Sequence, residues 1–257
     1  MLAHGASYNP GMRQEVASLL LRINLEFYQT FAGAFAATRR RLQPGVVRAL
    51  RSVQAEASVL DLGCGAGELA RGLARRGHHG PYLGLDTSRE MLAAAGEIVT
   101  FPWARFQHAE LTSPDWPAGL EERYRQVFLL SVLHHIPGHE HRIRLLEQVS
   151  MCLAEGGSVT LSAWDFAASP RLVKRVLPWG NVGLSDSDVE PGDYLLDWRH
   201  GGHGLRYIHL FTHDDLEALA TQVGFVVVDR YRSDGEGGRL GLYQVWKKGT
   251  GAPGPQD

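Results

Sequence analysis

The apolar positions of this chain fall into two periods. Over residues 13–41, Val16, Leu19, Leu20, Ile23, Phe27, Phe31, Ala34 and Phe35 recur every three or four residues, which places them on one face of a helix. Pro44-Gly45 interrupts that run, and a second short helix is predicted over 46–53. Short apolar runs follow at 58–62, 81–86, 104–108, 125–132 and 158–164. Between them lie a helix after Gly67, one over 89–97 with Ser88 as N-cap, and one over 141–154 closed by Glu155-Gly156-Gly157. Strand, helix and strand at this pitch predict a parallel sheet. Residues 165–204 lose the pattern and are punctuated by Pro170, Pro178 and Pro191. Trp164, Trp179 and Trp198 argue against disorder there, so this stretch is expected to form a substrate-facing lid or wall. After the 205–212 run, Thr212 caps a helix over 214–222, and strands over 226–230 and 240–246 complete a set of seven. The expected class is α/β, a doubly wound, Rossmann-like seven-stranded sheet. A helical cap over 1–57 precedes the core of 58–248, the 165–204 insertion follows the fifth strand, and 249–257 forms a loose tail.

The densest chemistry lies in the first βαβ unit. Gly63, Gly65 and Gly67 let the backbone turn sharply off a strand and come close to a ligand. Asp86, at the tip of the next strand, is placed to accept hydrogen bonds from both hydroxyls of a ribose, and its charge would repel a 2′-phosphate. The loop reads G-x-G-x-G rather than the dinucleotide G-x-G-x-x-G, and Asp61 stands just before it. A carboxylate there is a poor neighbour for a pyrophosphate and suits a ligand carrying an ammonium and a sulfonium. S-adenosylmethionine (SAM) is such a ligand. A NAD or FAD turn, or an unliganded tight turn, is the alternative.

Val59-Leu60-Asp61-Leu62-Gly63-Cys64-Gly65-Ala66-Gly67 resembles the first motif of the class I SAM-dependent methyltransferases. That resemblance implies a last strand paired antiparallel and a cofactor set of Asp61, Gly63, Cys64, Gly65, Gly67, Asp86, Thr87, Met91, Glu110, Leu111 and Ser131. Glu110, or the backbone of Ala109 to Leu111, would meet the adenine. Leu133-His134-His135 after the fourth strand also fits the superfamily, although Gln126 stands where an acid usually opens that strand.

Two further segments resemble the tRNA wobble-uridine carboxymethyl methyltransferases. One is Tyr28, Ala32, Phe35, Thr38 and Arg39 in their spacing; the other is Arg206-Tyr207-x-His209-x-Phe211, with Ile208 replacing a tyrosine. This resemblance implies that Tyr28 and Arg39 face the SAM pocket and that the acceptor is a carboxymethyl group on tRNA. Such an acceptor is ionised at neutral pH and needs no base, so Arg39, Arg206, Tyr207 or His209 would hold it. A phenol or amine acceptor would instead make His134, His135 or His209 the candidate base.

Composition narrows this little. The chain has 257 residues, 44% of them hydrophobic and 21% charged, with a net charge of −2, so no global field draws it to nucleic acid or membrane. Residues 1–58 hold seven arginines against three glutamates, either a solvated face or a phosphate-facing patch. Cys64 and Cys152 make no disulfide framework, and neither a leader nor a membrane-spanning run is visible, so a cytoplasmic protein is expected. His200, His203, His209 and His213 lack the spacing of a zinc site, and no metal is expected. Three readings stay open: a tRNA-modifying enzyme, with or without an activating subunit; a small-molecule O- or N-methyltransferase; and a SAM-binding regulatory subunit.

Overall fold

The computed structural model describes residues 12–38, 41–120 and 122–249; at 32–38 and 236 it describes the backbone alone. Helices α1 (Gln14–Thr38) and α2 (Pro44–Ala49) lead into β1 (Val59–Leu62), α3 (Glu68–Ala74), β2 (Tyr82–Asp86), α4 (Arg89–Ile98), β3 (Ala104–His108) and β4 (Tyr124–Leu130). The chain continues through α5 (His139–Cys152), β5 (Leu153–Trp164), α6 (Pro170–Val173), β6 (Val176–Leu177), β7 (Asp193–Trp198) and β8 (Gly204–His209). It closes with α7 (His213–Gln222), β9 (Phe225–Ser233) and β10 (Gly241–Lys248).

Seven strands form one sheet in the order β3-β2-β1-β4-β5-β10-β9. The first five are parallel, and β10 runs antiparallel to both β5 and β9. All four residues of β1 are buried, as a parallel strand covered on both faces requires. Neighbouring residues serve opposite faces. Leu60, Leu62, Val127, Leu129, Val159 and Leu161 pack with Leu145, Leu146 and Val149 of α5 and Leu216 and Leu219 of α7. Val59, Tyr82, Phe128 and Tyr243 pack with Val46 of α2 and Leu69 and Leu73 of α3. The second half of the expected N-terminal cap is thus part of the main core.

The insertion departs most from expectation. Instead of an irregular wall it holds an antiparallel sheet, β6-β7-β8, whose last strand lies in the 205–212 run. On one face Leu195 and Tyr207 pack on Val16, Leu20 and Ile23 of α1. On the other, Leu196 and Ile208 pack on Phe166, Leu172 and Leu210. Both faces are apolar, so the alternation that betrays a half-exposed strand is missing.

Smaller differences have local causes. Strand β4 stops at Leu130 because Ser131 takes a left-handed backbone (φ 60°). α7 starts at His213, where the Thr212 and Asp215 side chains form a reciprocal capping box. α2 ends at Ala49 and tightens into a 3-10 turn over Leu50–Ser52. Among the described residues no helix is long and apolar enough to cross a membrane.

Candidate active site

A cleft of about 530 Å³ opens at the carboxyl ends of β1, β2, β3 and β4. The winding of the sheet reverses between β1 and β4, which is where doubly wound sheets bind ligands. Gly63 and Gly65 line it with left-handed backbones (φ 74° and 55°). A Cβ on Gly63 would overlap Val132 Cγ2. Gly67 is not among the lining residues; it is the N-cap of α3, where a Cβ would come within 2.9 Å of Val99 Cγ2.

Four acids line the cleft: Asp61, Glu68, Asp86 and Glu110. Asp86 Oδ2 accepts the Gly65 N–H and Oδ1 the Ser88 N–H, both at 2.9 Å. Burial pushes its carboxyl above the ordinary range, and the N–H groups of Ser88, Gly65 and Thr87 pull it back. Each oxygen keeps a further lone pair, enough for one ribose hydroxyl apiece. Asp61 is 2% exposed, and its Oδ2 accepts the Tyr82 hydroxyl at 2.7 Å. Burial raises its carboxyl to about 7, against the lowering effect of that hydrogen bond, and the charges of Asp86 and Glu68 add to the rise. A cation beside Asp61 would restore its carboxylate.

Thr87, Met91, Glu110, Leu111, Cys64 and Ser131 also line the cleft. The positive φ of Ser131 is held by its N–H, which lies 3.0 Å from both the Ser162 carbonyl and the Ser162 hydroxyl. Burial and the neighbouring acids push the Cys64 thiol well up, so it stays protonated.

The far wall belongs to α1, which contributes Leu21, Arg22, Asn24, Leu25 and Tyr28. The Tyr28 hydroxyl lies 2.8 Å from His135 Nε2. His135 Nδ1 lies 3.1 Å from the Tyr207 carbonyl. Nδ1 also lies 3.3 Å from Asn24 Nδ2, but that amide has the Tyr207 and His135 carbonyls for its hydrogens, at 3.1 and 3.4 Å, and a carbonyl only accepts, so the hydrogen is assigned to Nδ1 and Nε2 accepts from Tyr28. Asn24 clasps the Tyr207 backbone: its Oδ1 accepts the N–H at 2.9 Å and its Nδ2 donates to the carbonyl at 3.1 Å.

Four of the residues expected to act on the acceptor lie elsewhere. The Arg206 guanidinium sits over the rings of Phe27, Trp164 and Trp198, at 4.9, 4.9 and 5.1 Å. Tyr207 is fully buried and donates to Asp193 Oδ1 at 2.7 Å, and His209 Nδ1 meets the same oxygen at 2.7 Å. His134 is buried and accepts the Trp164 N–H on Nδ1 at 3.3 Å. None of the four lines the cleft, because their polar atoms face the insertion and the end of β5. Arg39 lies outside the described residues.

Glu190, Asp193 and His209 bring possible metal-ligand atoms within 4.8 Å of one another. Their oxygens already have partners. Glu190 pairs with the buried Arg142 and accepts the His139 N–H at 2.7 Å, and Asp193 Oδ2 accepts the Glu190 N–H at 2.9 Å. The set reads as a clamp in which Arg142 of α5 holds Glu190 beside the small sheet.

Arg22, Asn24, Tyr82 and the mouth residues Arg41 and Leu42 escaped sequence reasoning. Asn24 alone left a trace, an amide on the apolar stripe between Ile23 and Phe27, where a buried polar group must have a partner.

Comparison with known proteins places this architecture. A methyltransferase domain family matches residues 35–230. A protein of Encephalitozoon cuniculi (strain GB-M1), named as a methyltransferase without a substrate, is 30% identical over 206 residues, covering 79% of this chain and 87% of that one. The chain belongs to the methyltransferase domain family. This methyltransferase is also 36% identical over 126 residues to a trans-aconitate 2-methyltransferase of Methylobacterium nodulans (strain LMG 21967 / CNCM I-2342 / ORS 2060), covering 48% of this chain and 45% of the relative. A ubiquinone biosynthesis O-methyltransferase of Aeromonas salmonicida (strain A449) is 28% identical over 104 residues, 40% of this chain and 42% of its own. The match thus spans less than half the length of these two relatives. Among solved structures, a SAM-dependent methyltransferase of Methanosarcina mazei superposes with a TM-score of 0.61 at 21% identity, covering 80% of this chain and 98% of that one. A glycopeptide N-methyltransferase complexed with SAM gives 0.58 at 19%, covering 79% and 92%. The methyltransferase has the class I SAM-dependent fold, and the cofactor of such neighbours is SAM. The residues present fit it: glycine backbone with left-handed φ at the turn, an acid poised for ribose hydroxyls, and two more acids for the cationic end.

Proposed function

We propose that this methyltransferase transfers the methyl group of SAM to a small-molecule acceptor bound beneath α1. When bound, SAM supplies an electrophilic methyl group on a sulfonium. The protein supplies position. Asp86 takes the ribose hydroxyls, Asp61 and Glu68 face the cationic end, and the turn at Glu110 and Leu111 takes the adenine. The observation that carries the reading is α1 itself. Leu21, Leu25 and Tyr28 line the cleft together with Leu42, Val46 and Ile136, which supports a walled, largely apolar acceptor pocket of small-molecule size. Trans-aconitate and ubiquinone biosynthesis, in the names of two relatives, support the same class.

The wobble-uridine reading draws on residues that have other partners here. Arg13 pairs with Asp188, and Arg48 pairs with Asp229 at 3.1 Å while covering the Tyr231 ring. Tyr207 and His209 are bound to Asp193.

The test is transfer from tritiated SAM to two pools offered separately, a tRNA-free metabolite extract and total tRNA. Label in the metabolite pool is expected. Label confined to tRNA overturns the proposal.

A further inference from the structure

We propose that Tyr28 and His135 form a proton relay for the acceptor, and that the acceptor is therefore a weakly acidic hydroxyl, a phenol or enol. This rests on the small-molecule reading above and makes it specific.

Of the three histidines that could serve as a base, only His135 lines the cleft. His134 has its Nδ1 on the Trp164 N–H, and His209 is bound to Asp193. With the hydrogen on Nδ1, directed at the Tyr207 carbonyl, the Nε2 lone pair meets the Tyr28 hydroxyl at 2.8 Å, and both side chains line the cleft. The same carbonyl, which also accepts from Asn24 Nδ2, favours the imidazolium once Nε2 takes a proton.

In the reaction the acceptor hydroxyl donates its proton to Tyr28 Oη while the Tyr28 proton passes to His135 Nε2. The electron pair left on the acceptor oxygen forms the new bond to the methyl carbon. The carbon–sulfur bond breaks, and its pair stays on sulfur. The products are a methyl ether, S-adenosylhomocysteine and an imidazolium that later returns its proton to water. Tyr28 touches the acceptor; His135 acts through it.

The cleft discriminates among acceptor types. A carboxylate is already a nucleophile at neutral pH and needs no relay. The acids of the lining, Asp61, Glu68, Asp86 and Glu110, are taken up by the SAM end, so an ammonium acceptor would meet Arg22 and Arg41, the two cations of the lining. A hydroxyl that turns negative as it reacts is favoured by those cations, and Leu21, Leu25 and Leu42 offer an apolar bed for its ring or chain.

One compound separates the outcomes: 3,4-dihydroxybenzoate, which carries both acceptor types. With the full chain and tritiated SAM, the expected product is an alkali-stable aryl ether. His135→Asn and Tyr28→Phe should each lower kcat by about 10²-fold or more, the worth of positioned proton transfer, with the affinity of His135→Asn for SAM unchanged by calorimetry. A second readout needs no turnover. The absorbance of 4-nitrocatechol, titrated with protein saturated with S-adenosylhomocysteine, should show bound phenolate below the pH at which the free probe ionises. Tyr28→Phe, which keeps the ring and its packing, should lose that signal. An alkali-labile ester, variants that keep kcat, or the absence of a phenolate signal with the wild type each overturns the relay and leaves the small-molecule reading standing. Label found only in tRNA overturns both.

Discussion

Asp61 combines a structural cost with a binding role. Its carboxyl is raised from 3.8 to about 7 by burial, so folding disfavours its ionised form. The unliganded protein binds more protons at this site than the unfolded chain between those values, and stability must fall as pH rises through that window. The penalty above pH 7 is on the order of 4 kcal/mol. Asp61→Asn removes it, and Tyr82 can still donate to the amide oxygen. We expect the variant to melt higher than wild type at pH 8, with the gap closing towards pH 4, and to bind SAM at least about tenfold more weakly, one pKa unit of lost attraction being worth that much. Wild-type affinity for SAM should rise with pH through about 7, as the carboxylate forms. Calorimetric melting and titration check both signs; a variant that melts lower at pH 8 would refute the account. At Gly63 the left-handed backbone and the overlap with Val132 add. Gly63→Ala should cost about 2–4 kcal/mol by urea unfolding, and adding Val132→Ala should restore part of it.

Two elements from distant parts of the chain make the acceptor side. β8 is an edge strand, and the side chain of Asn24 takes the place of a further strand at Tyr207. Asn24→Ala would leave that buried backbone pair unmet, at a cost of about 1–3 kcal/mol. Because the loss is local, amide exchange in α1 should quicken more than exchange in β1 or β4. The clamp of Arg142 on Glu190 joins α5 to the small sheet, and Arg142 holds the Glu190 carboxyl below the ordinary range. Arg142→Met strands a partly buried carboxylate and should cost about 1–3 kcal/mol, with residues 166–211 becoming the first site of limited proteolysis. The two halves of the site also differ in how far a sequence reveals them. The cofactor half is built from contiguous turns, where glycine and acid must stand at fixed spacing, so Asp61, Gly63, Gly65 and Asp86 were legible. The acceptor half depends on contacts such as Tyr28 to His135 and Asn24 to Tyr207, 107 and 183 residues apart, which no local pattern encodes. Arg206, Tyr207 and His209 looked like site residues because the run Arg206-Tyr207-x-His209-x-Phe211 resembles a motif of the wobble-uridine enzymes. Their polarity is used inside the insertion instead.

At the scale of the molecule, the net charge of −2 sets up no global field for a polyanion, and Arg13 and Arg48 are held in ion pairs. Methylation of a small acceptor should therefore change KM less than about threefold between 50 and 200 mM salt, where a protein making several phosphate contacts loses roughly 10³-fold or more in affinity. A steep salt slope would contradict the reading. α1 rests on β8 rather than on the parallel sheet. A chimera that imports the 166–211 stretch alone from a relative would set a foreign floor beneath a resident roof, and the two would not mate. Helix and insertion are matched halves, so changes of acceptor within this lineage are expected to have been inherited as a pair across more than a hundred intervening residues, while the cofactor turns between them stood still.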